Sequence, residues 1–244
     1  RIKNEYLVGR RAHLFVTHAG GGGSGLTLVP ENSTVSAHVP RDGELADSWK
    51  LIGFDDSSWL RGVNAVGYER SPSQNYTPLL GIDLLSPSVP VALRIDSDGD
   101  NLNDNNSCYL RYEFNIVDAS VIEFLKLRVK YDDGFVAFLN GVEIAASNDP
   151  SPLNWDAEAS AQNPDGDAIE FEDFDASLYR SQLRDGPNVL AIQAMNRGSN
   201  SSDMLFSAAL LDESFGNGSG VGIPGSQPRL AAIQFGEIEF NPSS

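Results

Sequence analysis

From about Leu26 to Leu211 the chain is written in short runs of apolar residues alternating with polar ones, cut by Gly, Pro, Asn and Asp. "CYLRYEFNI" (108–116) and "LKLRVKY" (125–131) are rich in β-branched and aromatic residues and are read as strands. "FVAFLNG" and "VEIAA" flank the pair Asn140-Gly141, the strongest short hairpin signal. "NVLAIQAMN" and "LFSAALL" are read as late strands, the first entered through a turn at Gly186-Pro187. Helix signals are weak. "SLYRSQL" predicts a single turn after Asp175, which would act as its N-cap. Short antiparallel strands at this spacing predict an all-β fold, a β-sandwich of jelly-roll type with long acidic loops.

Composition bounds the organisation. The chain has 244 residues, 41% hydrophobic and 21% charged, which marks a globular protein. Residues 1–25 are a basic, apolar stretch closed by "GGGGSG"; they are read as the tail of a preceding domain and a flexible spacer. Residues 26–213 form the body. Residues 214–244 are a Gly/Ser/Pro-rich linker followed by "RLAAIQFGEIEF", a strand belonging to a following domain. With no initiator Met and no signal peptide at Arg1, the chain is read as an internal piece of something longer.

Charge narrows the partners. Acidic residues outnumber basic ones 34 to 17, for a net charge of −17. No cluster of Lys and Arg offers a phosphate backbone a footprint, so nucleic acid is not expected. No apolar run approaches the ~20 residues that cross a bilayer, so membrane insertion is not expected either. An acidic surface suits divalent cations and a secreted or cell-surface setting. Cys108 lies in a strand-like run and is read as a buried small hydrophobe.

Four stretches offer site chemistry. "RIDSDGDNLNDNN" places Asp96, Asp98, Asp100 and Asp104 at positions 1, 3, 5 and 9 of a calcium-type loop. Gly99 eases its turn, Asn101 tolerates a left-handed backbone, and Ser107 stands where the usual closing acid would be. The alternative is a solvated acidic loop. "YDDGF" sets Asp132 and Asp133 beside Gly134, read as the positive-φ residue of a three-residue hairpin loop. The doubled aspartate is a turn, a cation site or a place for ligand hydroxyls. "SPLNWDAEAS" puts Trp155 between Asn154 and Asp156, a flat apolar face with hydrogen-bonding neighbours, suited either to a sugar ring or to anchoring its own loop. "MNRGSNSSD" lies between two late strands, which would bring Asn196 and Asp203 to the same end of the sandwich. Signatures of hydrolases, zinc sites and phosphate-cradling loops are absent, so no enzyme activity is expected; a structural spacer without ligand is the alternative, and a glycoside-hydrolase fragment a further one, since carboxylate pairs abound in an acidic chain.

"W-x4-FDDSSW-x7-GYE" from Trp49, "YLRYEF", "YDDGFVAFLNGVEIA", "NWDAEA" and "LRDGPNVLAIQAMN-x5-SDMLF" follow one another in an order that resembles a known module. It is the galactose-binding-like jelly roll of large secreted bacterial proteins of planctomycete type, found there with lamin-tail and CotH-like domains. The terminal stretches "IQFGEIEFNPSS" and "EYLVGRRAHLFVTHA" resemble the start of a lamin-tail domain and the end of a CotH-like or similar unit. The resemblance implies a carbohydrate-binding accessory module without catalysis of its own, its partners being polysaccharide and the neighbouring domains of the same chain. Locally, Asp132-Asp133-Gly134 resembles the paired-aspartate loop of protective-antigen-type lectin domains, which implies Asp132 and Asp133 as Ca²⁺ ligands. "DSDGDNLND" resembles a thrombospondin type 3 calcium repeat. On this reading the ligand-binding set is Trp155, Asp132, Asp133, Asn196 and Asp203, and the metal set is Asp96, Asp98, Asp100, Asp104, Asp132 and Asp133.

Overall fold

Twelve strands build two facing sheets in a computed structural model that describes residues 26–71 and 76–213. The readings of 1–25 and 214–244 as pieces of neighbouring domains lie outside the described residues. One sheet runs β10 (Glu172–Asp175), β7 (Leu125–Asp132), β12 (Asp203–Asp212), β4 (Val66–Glu69), β5 (Ile82–Asp83), with β1 (Leu26–Val29) beside the far end of β12. The other runs β3 (Leu60–Val63), β2 (Thr34–His38), β6 (Ser107–Ile116), β11 (Gly186–Met195), β8 (Gly134–Leu139), β9 (Val142–Ser147). Every pairing is antiparallel except the short β4–β5 contact. The protein is an antiparallel β-sandwich, as its strand pattern predicts.

Strand parity explains the core. Leu125, Leu127, Val129 and Tyr131 of β7 face Phe135, Ala137 and Leu139 of β8 and Leu190, Ile192 and Ala194 of β11 in one buried cluster between the sheets. The central strands are apolar on both faces because loops cover their outer sides. Outside β6, β8 and β11, Trp49 stacks on Tyr109 at 4.0 Å between centroids, and Val136, Phe138, Val189 and Met195 pack with them. Trp49 and Trp59 are buried, which fixes them as packing residues. Outside the first sheet a smaller cluster joins Leu205 to Tyr76, Ala168 and Ala65.

The Asn140-Gly141 turn closes β8 and β9 as a two-residue loop, with φ of 52° and 92° as a type I′ turn requires. The other turn departs from expectation. β7 and β8 are not a hairpin: they belong to opposite sheets, so Asp132–Gly134 is the crossing point between them. Gly134 has no positive φ. A Cβ there would meet Ala159 Cβ and Ser147 O, each at 3.0 Å, so it is close packing that favours glycine. "SLYRSQ" forms a 3₁₀ segment whose N-cap is Ala176 rather than the expected Asp175; Asp175 sits one residue earlier, where its Oδ1 accepts from Ser177 N in a local turn.

Candidate functional site

The parity that sends Leu127, Val129 and Tyr131 inward sends Asp132 to the outer face of the first sheet. There it lies across from Leu205, with Asp203 two residues further along β12 and Glu69 across from Asp203. Two loops close over this face. One carries Gln162, Asn163, Pro164 and Asp165; the other is the β11–β12 connection, 197–202. Between them lies a cavity of about 470 Å³, walled by amides and hydroxyls and by the carboxylates of Asp132, Asp133, Asp165 and Asp203. Arg197 is the one basic residue in that lining.

Asp133 is fully engaged. Its amide donates to Met195 O at 2.9 Å, Oδ1 accepts from Asn163 N at 3.1 Å, and Oδ2 accepts from Arg197 N at 2.8 Å. Both loops are thereby hung on one carboxylate. Asp132 is different: it is 4% exposed, and its Oδ2 is buried with no hydrogen-bond partner. Asn196 Oδ1 is also buried without a partner, and the buried Tyr76 hydroxyl lies against the Asp132 carboxyl. Unpaired buried oxygens of this kind are costly unless something answers them.

The electrostatics agree. Burial, reinforced by the neighbouring Asp133, Asp203 and Asp165, pushes the Asp132 carboxyl well above the usual carboxylate range. Burial, with Asp165 and Glu69 adding, raises Asp203 to about 6. The Tyr76 hydroxyl is driven far upward by burial and by Asp132, Asp165 and Asp203. Each shift reports a group held in its protonated form, by burial first and by the neighbouring carboxylates second.

The calcium-type loop is built differently. Asp96, Asp98 and Asp100 bring carboxylate oxygens within 4.8 Å of one another, a spacing no other acidic group reaches among the described residues. Gly99 and Asn101 take the positive φ values the loop needs, 80° and 67°. Yet Asp96 already accepts from Arg70 Nη2 and from the amides of Gly99 and Asn101. Asp104 is drawn out of the trio by Arg41 at 2.6 Å and by the Ser97 amide. Two arginines thus supply counter-charge to the loop.

Of the residues expected to act together, Asp132, Asp133 and Asp203 meet in one cavity, and Asn196 sits beside it between two residues that bond Asp133. Trp155 does not line the cavity. It is half-buried against Gly43 and the Trp49–Tyr109 cluster, with its carbonyl 3.5 Å from Asn105 Nδ2. Asn163, Asp165 and Tyr76 complete the site without having been singled out in the sequence. Their signal is confined to "QNPDGD" within an acidic loop and to a tyrosine outside any periodic run.

Fold and site together define a β-sandwich with an acidic pocket on the outer face of one sheet. No family model matches the chain, and no curated protein does. Among solved structures, the Bacteroides uniformis β-glucuronidase is similar at a TM-score of 0.42 and 13% identity, over 75% of this chain and 18% of that one. A calcium-binding mutant of Bacteroides uniformis β-glucuronidase 2 gives 0.40 and 11%, over 76% and 18%. A β-glucuronidase from an uncultured Clostridium gives 0.39 and 11%, over 75% and 29%. The chain spans less than a third of each. Likeness at this level carries no functional residue across. Among the described residues no helix is long and apolar enough to cross a membrane.

Proposed function

We propose that this β-sandwich is a non-catalytic carbohydrate-binding module of a secreted or cell-surface multidomain protein, acting through a Ca²⁺ ion held in the acidic pocket. One observation carries the reading: Asp132 Oδ2 is buried without a partner in the wall of a cavity lined by four carboxylates. Ca²⁺ takes six to eight oxygens from carboxylates, amide carbonyls and water. Asp132 and Asp203, with the unpaired Asn196 Oδ1, offer oxygens of that kind, while Asp133 holds the loops around them. The ion supplies positive charge that sugar hydroxyls can complete. This chain's own part is to hold those oxygens at strand ends beneath two pinned loops and to present Gln162, Asn163 and Asn200 as amide partners at the rim.

A concave pocket at Asp133 favours binding over a role as a bare spacer between neighbouring domains. Arg70 and Arg41 answer Asp96 and Asp104 but not Asp98 or Asp100, so the trio Asp96, Asp98 and Asp100 is the second candidate site for the ion. A glycan array run with Ca²⁺ and with EDTA tests the function. Binding that is lost on chelation and in Asp132→Asn supports it. Retention by glycans that is unchanged in both overturns it.

A further inference from the structure

In the pocket wall at 199–202 three carbonyls are taken, those of Ser199, Ser201 and Ser202. Arg70, just past β4, is the common partner. Its backbone amide donates to Ser202 O at 2.7 Å, and Nη1 donates to Ser201 O at 3.1 Å and to Asn103 Oδ1 at 3.0 Å. The guanidinium lies over the Tyr68 ring at 4.8 Å. Tyr68 in turn donates its hydroxyl to Ser201 O at 3.1 Å and accepts from Asn103 Nδ2 and Asn196 Nδ2, at 2.7 and 2.8 Å. The Asn103 amide holds Ser199 O at 2.7 Å.

The orientation of the Asn196 amide, and hence the direction of its unpaired Oδ1, is therefore fixed by Tyr68. The other end of the network is Asp96. Its Oδ2 accepts from Arg70 Nη2 at 3.1 Å, with both side chains largely shielded from solvent. Charge-assisted bonds in such a setting are among the stronger polar contacts a protein makes. Asp96 and Arg70 do not line the cavity.

We infer that Arg70 is the positioning residue of the pocket, and that Asp96 serves as its anchor: the acidic loop 96–104 sets, through Tyr68, how Asn196 and the 199–202 loop stand. This rests on the proposed reading of the pocket as a cation site. It gives the Asp96 carboxylate a task besides ligating an ion.

Two measurements on the whole chain test it. In cation-free protein, hydrogen exchange at the Asn103 and Arg197 amides is expected to rise roughly tenfold or more in Arg70→Gln and in Asp96→Asn, with the core amide of Ile192 unchanged and Arg70→Lys intermediate. In calorimetric titration with CaCl₂, the same two variants lose roughly tenfold or more in affinity, and discrimination of Ca²⁺ over Mg²⁺ shifts, which loss of global stability alone would not produce. Unchanged exchange at Asn103 and Arg197 in both folded variants overturns the inference. So does a Ca²⁺ affinity equal to that of the native chain. Absence of Ca²⁺ binding in the native chain overturns the pocket reading instead, and leaves the exchange result to decide the role of Arg70.

Discussion

Asp133 and Arg197, 64 positions apart, are joined by a 2.8 Å bond from the Arg197 amide to Asp133 Oδ2. The bond ties the crossing between β7 and β8 to the loop between β11 and β12. With Asn163 on the other oxygen, one carboxylate gathers three stretches of chain around Asp132. That is why a pair of aspartates occupies a place where a turn needs only one. The second member organises the loops, and the first is left buried in the cavity wall with Oδ2 unpaired.

The raised carboxyls make stability depend on pH. Asp203 titrates near 6 in the folded chain against an ordinary 3.8, and Asp132 moves in the same direction. A raised folded value means that the folded state holds the proton more tightly. The stability it contributes is therefore full below about 3.8 and is lost as pH rises through about 6. In EDTA the melting temperature is expected to fall between pH 4 and 7, with Asp132 extending the fall upward. Asp203→Asn should flatten the slope, while the exposed Asp149→Asn should not. Saturating Ca²⁺ should flatten it too, by stabilising the ionised forms. A melting temperature that does not change over this range would contradict the crowding of charge in the pocket.

Arg111 on β6 is 1% exposed and meets four acceptors: Asp56 Oδ2 at 3.0 Å, Trp49 O, Leu51 O at 3.1 Å and Glu113 Oε1 at 3.3 Å. One side chain thus fastens the 49–56 loop to the outer face of the second sheet. Arg111→Met strands Asp56 in a buried site and is expected to cost roughly 3–5 kcal/mol in urea denaturation. Adding Asp56→Asn should recover part of it. A loss under about 1 kcal/mol would mean that the loop is held by its apolar contacts alone.

Trp155 tests the division between packing and binding. Its indole rests on Gly43, where a Cβ would come within 3.0 Å of Cδ1. Trp155→Ala should lower stability by roughly 1–3 kcal/mol through lost burial. It should leave Ca²⁺ affinity within about twofold, well under the tenfold that corresponds to 1.4 kcal/mol. Loss of pocket affinity with the fold intact would restore Trp155 to the binding surface.

Strand identity was legible because parity is a local signal. Leu125, Leu127, Val129 and Tyr131 alternate with Lys126, Arg128 and Lys130, and the structure pairs them as the pattern implies. Asn140-Gly141 was legible for the same reason. The pairing partner of β7 was not. Adjacent strands form a hairpin by default, and the switch of sheets at Asp132–Gly134 depends on the Asp133 amide reaching Met195. Asp132, Asp133 and Asp203 could be picked out because aspartates at strand ends are conspicuous. Asp165 and Tyr76 could not, since they reach the site only after two irregular loops fold over a sheet face. The acidic loop was legible in part: Asp96, Asp98 and Asp100 do converge, but Arg41 and Arg70, which pair with Asp104 and Asp96, come from distant sequence.

Calorimetric titration of the chelator-treated chain with CaCl₂, beside Asp132→Asn, Asp203→Asn and Asp98→Asn, tests the central claim most directly. Saturable binding is expected in the native chain, weakened roughly tenfold or more in the first two variants and nearly unchanged in Asp98→Asn. Binding that survives Asp132→Asn and disappears in Asp98→Asn would move the ion to the 96–104 loop. No binding at all would contradict the account of the pocket.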